Sequence, residues 1–517
     1  MTSVRGTAAF LFSGLLLFAI SDATAQQAAQ STNRSKTAGA PSAPIAAPPG
    51  PESFESGIPG GQDQSKKSGE ETKTPQTAAK EQREEEHKPA DPDTGQSTLS
   101  DQTLGLLPNP YEKVGIKFSL SYVGEALGNV AGGMRRGAVY DGRLNAAVDL
   151  DFGKLAGRPG LTFHANLFEI HGDGLSRCCI GNLITVSSIE ALSTLRLYEM
   201  WLEQKFSNDK FSLRAGQLAA DTEFITSRYT DVFINATYGW PTITAINLPS
   251  GGPSPPLAAV GARFKAVLSD NVTLLSAVFN GDPAGPGPDD PQSRNRYGLN
   301  FRVNDPPLFI NEIQYAYNQH EGSGGLPGTV KLGGWYHAGD FADQRFASNG
   351  VSLAAPDASS PLTHRSDFGV YAVFEQQFLS FPGGDGTRGL GGFARVSGSP
   401  GDRNLIGFYA DGGFNLSGAF AARPDDKIGV GFAYARLSDS ARALDRDFQL
   451  LANSTRPVRD AETLVSLGYL AQIKQGWNVY PTLQYIIHPG GGYVLDAGAP
   501  RAVHNATVLG VRTVLKF

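Results

Sequence analysis

Ala506-Thr507-Val508-Leu509-Gly510-Val511-Arg512-Thr513-Val514-Leu515-Lys516-Phe517 is the stretch whose reading decides the fold. Leu509, Val511, Leu515 and Phe517 share one parity; Gly510, Arg512 and Lys516 share the other. Successive strand side chains point to opposite faces, so one face is apolar and the other carries two cations. A soluble sandwich can produce such a segment once. A transmembrane β-barrel needs it in every strand, with lipid outside and water inside.

The pattern recurs upstream. Val114, Ile116, Phe118, Leu120 and Tyr122 alternate with Lys113, Gly115, Lys117, Ser119 and Ser121. Leu144, Ala146, Val148, Leu150 and Phe152 alternate with Arg143, Asn145, Asp149 and Asp151. Phe264 and Leu268 oppose Arg263 and Lys265; Tyr297, Leu299, Phe301 and Val303 oppose Asn300 and Arg302; Ile313 and Tyr315 oppose Glu312 and Gln314. Val430, Phe432 and Tyr434 oppose small residues, and Leu483, Tyr485 and Ile487 oppose Thr482 and Gln484. Repeated alternation of this kind reads as strands. The Pro/Gly-rich intervals 221–256, 281–293, 338–363 and 438–460 exceed hairpin length and fit the long extracellular loops of outer-membrane barrels. At about 25 residues per strand and connection, residues 104–517 hold on the order of 16 strands, an all-β antiparallel barrel in the porin range. Counting segments gives roughly 17, but single-chain bacterial barrels are normally even, so one segment is split or spurious.

The 517 residues carry a net charge of −6, 62 Gly and only 3 Met, a composition of turns and strands with no call for a nucleic-acid partner. Residues 1–25 read as a secretory signal: Arg5, an apolar run from Ala8 to Ile20, and Ala23-Thr24-Ala25 before Gln26. That run is too short to span a bilayer. Residues 26–103 are rich in Pro, Gln and charge, including the cluster 80–88, and hold too few apolar side chains to offset ordering entropy. They read as a disordered periplasmic extension. Cys178 and Cys179 are adjacent; two loop residues without a role, a vicinal disulfide and a metal contact stay open, the first favoured for want of zinc-type spacing.

Several stretches resemble the carbohydrate-selective porins of the OprB family. They include 122–133 with Arg135-Arg136-Gly137, Ile170-His171-Gly172-Asp173-Gly174-Leu175-Ser176, Arg196-Leu197-Tyr198-Glu199-Met200-Trp201-Leu202-Glu203-Gln204 and Arg214-Ala215-Gly216-Gln217. Tyr238-Gly239-Trp240-Pro241, Asn247-Leu248-Pro249, Val278-Phe279-Asn280-Gly281-Asp282-Pro283 and Gln484-Tyr485-Ile486-Ile487-His488-Pro489 follow in order. The resemblance covers about residues 104–517. It implies a 16-stranded outer-membrane barrel that passes sugars such as glucose by diffusion, without cofactor or metal. It further implies contact with outer-membrane lipid and the barrel assembly machinery, with Phe517 as assembly signal, and leaves monomer and trimer open.

A sugar pore needs a constriction of paired donors and acceptors with aromatic faces, and weak binding so that the solute leaves. Parity places Arg143, Asp149, Asp151, His164, Asn166, Arg263, Lys265, Arg302, Glu312, Lys331, Trp335, His337, Asp411, Arg512 and Lys516 on the wet face. Arg196, Glu199 and Glu203 lie in an apolar segment with conflicting parities. Asp221, Glu223 and Arg228 open the interval 221–256, which either folds into the lumen or stays an external loop. The mixed signs argue against a dedicated phosphate pore. A lipid-hydrolysing barrel would need a Ser/His pair with an orienting acid, and no Gly-x-Ser-x-Gly stretch is present. A general or anion-selective porin is the alternative on the same fold.

Overall fold

The computed structural model describes residues 103–319, 323–381, 388–496 and 499–517. The expected signal segment, and all but the last residue of the expected extension, lie outside the described residues. The strands are β1 (Ile116–Gly133), β2 (Gly137–Asp151), β3 (Leu161–His171), β4 (Thr194–Phe206), β5 (Phe211–Leu218) and β6 (Ala259–Val267). They continue as β7 (Val272–Asn280), β8 (Pro307–Tyr317), β9 (Gly328–Ala347), β10 (Pro361–Ser380), β11 (Gly389–Gly398) and β12 (Ile406–Ser417). The last are β13 (Lys427–Leu437), β14 (Ala461–Lys474), β15 (Trp477–Ile487), β16 (Tyr493–Asp496), β17 (Ala499–Ala502) and β18 (His504–Lys516). β1 to β15 pair in sequence, and β18 pairs with both β15 and β1, closing a 16-stranded antiparallel barrel. β16 and β17 form a separate hairpin in the last loop.

Short connections such as 207–210, 268–271 and 475–476 share one end of the barrel; the long loops share the other. Outward side chains are apolar and exposed, among them Phe118, Leu167, Leu202, Phe264, Ile313, Leu332, Phe432 and Leu509. Closure leaves no unpaired edge strand in the barrel sheet, the condition for strands to stand in lipid.

The interior is packed from within. The loops 172–193 and 219–258 fold inward, burying Leu175, Ile180, Ile184 and Val186 with Val232, Phe233, Ile234 and Tyr238 against Val123, Leu464, Ile486 and Val508 of the wall. A second cluster joins Phe224, Ile225, Trp240 and Leu248 to Leu275, Leu308, Trp335 and Tyr371. The small residues opposite Val430 and Phe432 now have a reason. A Cβ on Gly431 would stand 2.4 Å from the Tyr238 hydroxyl, and one on Gly468 would stand 2.4 Å from Val232 O. Glycine on the inner face lets the loop backbone lie against the wall.

Four expectations need correction. Residues Tyr297 to Val303 are not a barrel strand but part of the β7–β8 loop, and this is the spurious segment. Much of the interval 338–363 is strand, because β9 and β10 run 20 residues each. The interval 438–460 holds a helix, Asp439–Leu451, whose N-cap Ser438 accepts the Ala441 N–H at 3.2 Å. Asp151 ends β2 as the N-cap of the short helix Phe152–Ala156 instead of lining the wet face.

Candidate functional site

β4 settles the conflicting parities. Its register with β3 jumps between Ala165–Met200 and Leu167–Leu197, so two residues of β4, Tyr198 and Glu199, face one of β3, Asn166. This bulge flips the parity along the strand. Arg196 points inward above it, Tyr198 and Glu199 within it, and Trp201 and Glu203 below it, while Leu195 and Leu202 stay exposed outside.

Five adjacent strands, β2 to β6, then build one inner strip. Asp149 Oδ1 lies 2.7 Å from His164 Nδ1. The His164 ring stacks on Trp201, centroids 5.0 Å apart. The Arg214 guanidinium lies 3.9 Å from the centroid of the Trp201 ring, a cation–π contact. Arg214 donates to Glu203 at 3.0 Å. Arg263 donates to Glu203 at 2.9 Å, to Glu223 at 2.6 Å and to Ser212 at 2.5 Å. Two arginines thus share two carboxylates, with half-buried Lys265 beside them. Burial opposes ionisation of Glu223, but Arg214 and Arg263 outweigh it and hold that carboxyl below its usual range. The Asp149 and His164 side chains are 47% and 18% exposed against 9% for Glu203, so the Asp149–His164 end of the strip is the more open to solvent.

Most other predicted wet-face charges hold the inward loops. Glu312 accepts the Ile225 N–H and the Tyr371 hydroxyl, both at 2.8 Å. Lys331 donates to Thr226 O at 2.7 Å and lies 3.5 Å from Glu375, which accepts the Arg228 N–H at 2.7 Å. Asp411 holds Arg395 at 2.8 Å, and Arg395 donates to Ile225 O, Thr237 O and Tyr238 O. Arg512 pairs with Glu125 and reaches Ser188 Oγ at 3.0 Å and Ile234 O at 3.3 Å. Glu199 accepts the Ala219 N–H at 3.0 Å, and Asp221 sits beside Tyr198, pushed up to about 8 by burial and by Glu199. Arg196 donates to the carbonyls of Arg296, Pro256 and Gln292.

Arg143 lies 4.5 Å over the Phe168 ring, and Asn166 donates to Asn145 at 3.2 Å. His337 donates to Gly281 O at 3.0 Å, its other ring nitrogen accepting the Gly339 N–H. Trp335 belongs to the second buried cluster. Arg302 is a correction: it sits in the β7–β8 loop and pairs with Asp305 at 2.7 Å. Cys178 and Cys179 are a second correction, being joined in a disulfide within the 172–193 loop, where Arg135 donates to both their carbonyls.

A model of the carbohydrate-selective porins, OprB family, matches residues 135–517. The chain belongs to this family. Porin B of Pseudomonas aeruginosa is 24% identical over 430 residues, covering 78% of this chain and 88% of that protein. The high-pH structure of Pseudomonas putida OprB, 24% identical, superposes with a TM-score of 0.70 over 79% of this chain and 95% of the other. This OprB-family porin is accordingly a protein of the bacterial outer membrane.

Sequence reasoning about this porin passed over Arg214, Glu125, Glu375, Arg395 and Glu462 as site residues. Glu462 accepts the N–H groups of Leu183, Ile184 and Gly490, each at 2.7 Å. A signal was present in Arg214: it shares parity with Ser212, one strand from Arg263. Glu125 and Glu462 are single acids among small and apolar strand residues, and in a barrel a lone inward acid implies a partner.

Proposed function

We propose that this porin passes small neutral carbohydrates such as glucose by diffusion, and that the strip from Asp149 to Lys265 is its selective wall. One observation carries the reading: the Trp201 indole stands between His164 and Arg214, next to two arginines and two carboxylates in mutual balance. The partly exposed His164 ring, backed by the indole, suits the C–H face of a sugar ring. The flanking carboxylate, imidazole and guanidinium groups offer the acceptors and donors that hydroxyls need. The barrel supplies passage and weak orientation rather than a reacting group, so flux is uncoupled. In the same reading residues 1–25 direct export, residues 26–103 stay in the periplasm, and Phe517 is presented to the assembly machinery. A general or anion-selective pore is the second reading, favoured by Lys265, which adds a third cation beside Arg214 and Arg263.

Planar-bilayer recordings test both. The sugar reading expects concentration-dependent, saturable blockade of the ion current by glucose-sized sugars and a reversal potential near zero in a salt gradient. A strong anionic reversal potential with no sugar blockade establishes the second reading instead. Sugar flux into proteoliposomes equal to that of empty vesicles removes the first.

A further inference from the structure

β5, β6 and β7, of 8, 9 and 9 residues, are the shortest strands of the barrel and stand side by side. A tilted strand needs about 9–11 residues to cross the apolar layer, so these three barely reach. β4 also outruns its neighbour. The β4–β5 register stops at Met200 and Gln217, whereas β4 begins at Thr194. Strand edge left bare in lipid would strand backbone N–H and C=O groups without partners.

The segment from Tyr297 to Val303 fills that place. The Leu197 N–H donates to Tyr297 O at 3.0 Å; Thr194 Oγ1, on the inward parity of Arg196, donates to Arg296 O at 3.0 Å, so the chain enters the gap above β5 from the lumen side. Gln217 shares the outward parity of Leu213 on β5 and donates to Gly298 O at 3.1 Å. Arg302 is tied to Asp305, which accepts from Asn280 at the top of β7 at 2.9 Å. The segment is therefore strapped along the outer wall over the upper ends of β5 to β7. Gly298 is buried against the wall, while Tyr297, Leu299, Phe301 and Val303 are 57%, 58%, 39% and 67% exposed. Outward Leu195 and Phe309, 59% and 41% exposed, flank it on β4 and β8. A loop bathed in water has no use for four alternate apolar side chains turned outward.

We propose that the segment from Tyr297 to Val303 is a lipid-contacting strap. It docks against acyl chains of the outer leaflet, completing the apolar belt where the wall strands are too short. Its alternation has the same origin as that of a barrel strand, lipid on one side and protein on the other, without membership of the sheet.

The test uses the full chain in proteoliposomes with Leu299→Cys or Val303→Cys, each carrying a small thiol-linked fluorophore; Cys178 and Cys179 are tied to each other and do not compete. Leu332→Cys on the belt and Leu450→Cys on the exposed loop helix are the references. Heat-modifiable gel migration confirms that each barrel has folded, and the second strap position stands if the first variant fails. Phospholipid with a nitroxide in the acyl chain should quench both strap labels as strongly as the Leu332→Cys label, and aqueous iodide should quench them several-fold less than the Leu450→Cys label. Iodide quenching equal to that at Leu450→Cys overturns the proposal. So does exclusion of both quenchers together with cross-linking between Leu299→Cys copies, which would make the occupant a second copy of the chain.

Discussion

At the scale of single residues, Trp201 and Asp221 carry the sharpest expectations. Trp201 contributes by backing His164, while Arg214 lies against its ring. Trp201→Ala removes a contact of the cation–π and stacking class, about 1–2 kcal/mol, and should raise the half-blocking sugar concentration about tenfold. Current without sugar should change little. Unaltered blockade by the Ala variant would move the sugar elsewhere in the lumen. Asp221 is buried beside Glu199, and its carboxyl is pushed up to about 8. Between its ordinary value of 3.8 and about 8 the unfolded chain has released this proton while the folded chain keeps it. Stability therefore falls as pH rises through that window and levels off above it. Asp221→Asn should flatten the decline, seen as urea midpoints in lipid vesicles that converge with wild type near pH 4 and exceed it near pH 8. Parallel curves for the two proteins would mean that Asp221 ionises normally.

Among the elements, the inward loop 219–258 packs against the inside of the wall, and charges from distant strands hold it. Arg395 alone grips three of its carbonyls while paired with Asp411. Breaking one side of a buried ion pair costs roughly 3–5 kcal/mol. Arg395→Met combined with Asp411→Asn avoids the unpaired acid and still releases the loop. The double variant should show higher single-channel conductance and noisier current than wild type; an unchanged, quiet channel with an intact barrel would mean that the apolar packing of Ile225 and Phe233 suffices. The element scale also shows where the sequence could be read. Strand alternation was legible because lipid and lumen impose a period of two on each strand. The same period misled at Tyr297 to Val303, since alternation reports an apolar environment on one side and not hydrogen bonding to neighbours. The bulge in β4 hid the common inward direction of Arg196 and Glu203, because one extra residue reverses parity without leaving a compositional mark. Whether Glu312 or Lys331 meets solvent or loop backbone depends on residues 225 and 226, far away in the chain, and no local pattern encodes that. The Asp149–His164 pair was visible as two wet-parity residues, but its junction with Trp201 required the strand register.

For the whole molecule, the joint between β1 and β18 sets the terms of assembly. Glu125 stands directly opposite Arg512 across that joint, in a pair separated by 387 positions in the chain. A slip of one residue there would turn Arg512 toward lipid, and a slip of two would leave Glu125 buried without its cation. Both are costly, so the pair acts as a latch that engages at one alignment alone. Glu125→Arg should prevent the barrel from reaching its heat-modifiable form, and Arg512→Glu added to it should restore part of that form by re-engaging the latch with reversed sign. If the single reversal folds as readily as wild type, the ladder of backbone bonds alone aligns the joint. The closing strand of the barrel thus carries a checksum for the first, one that a cylinder sealed out of register would fail.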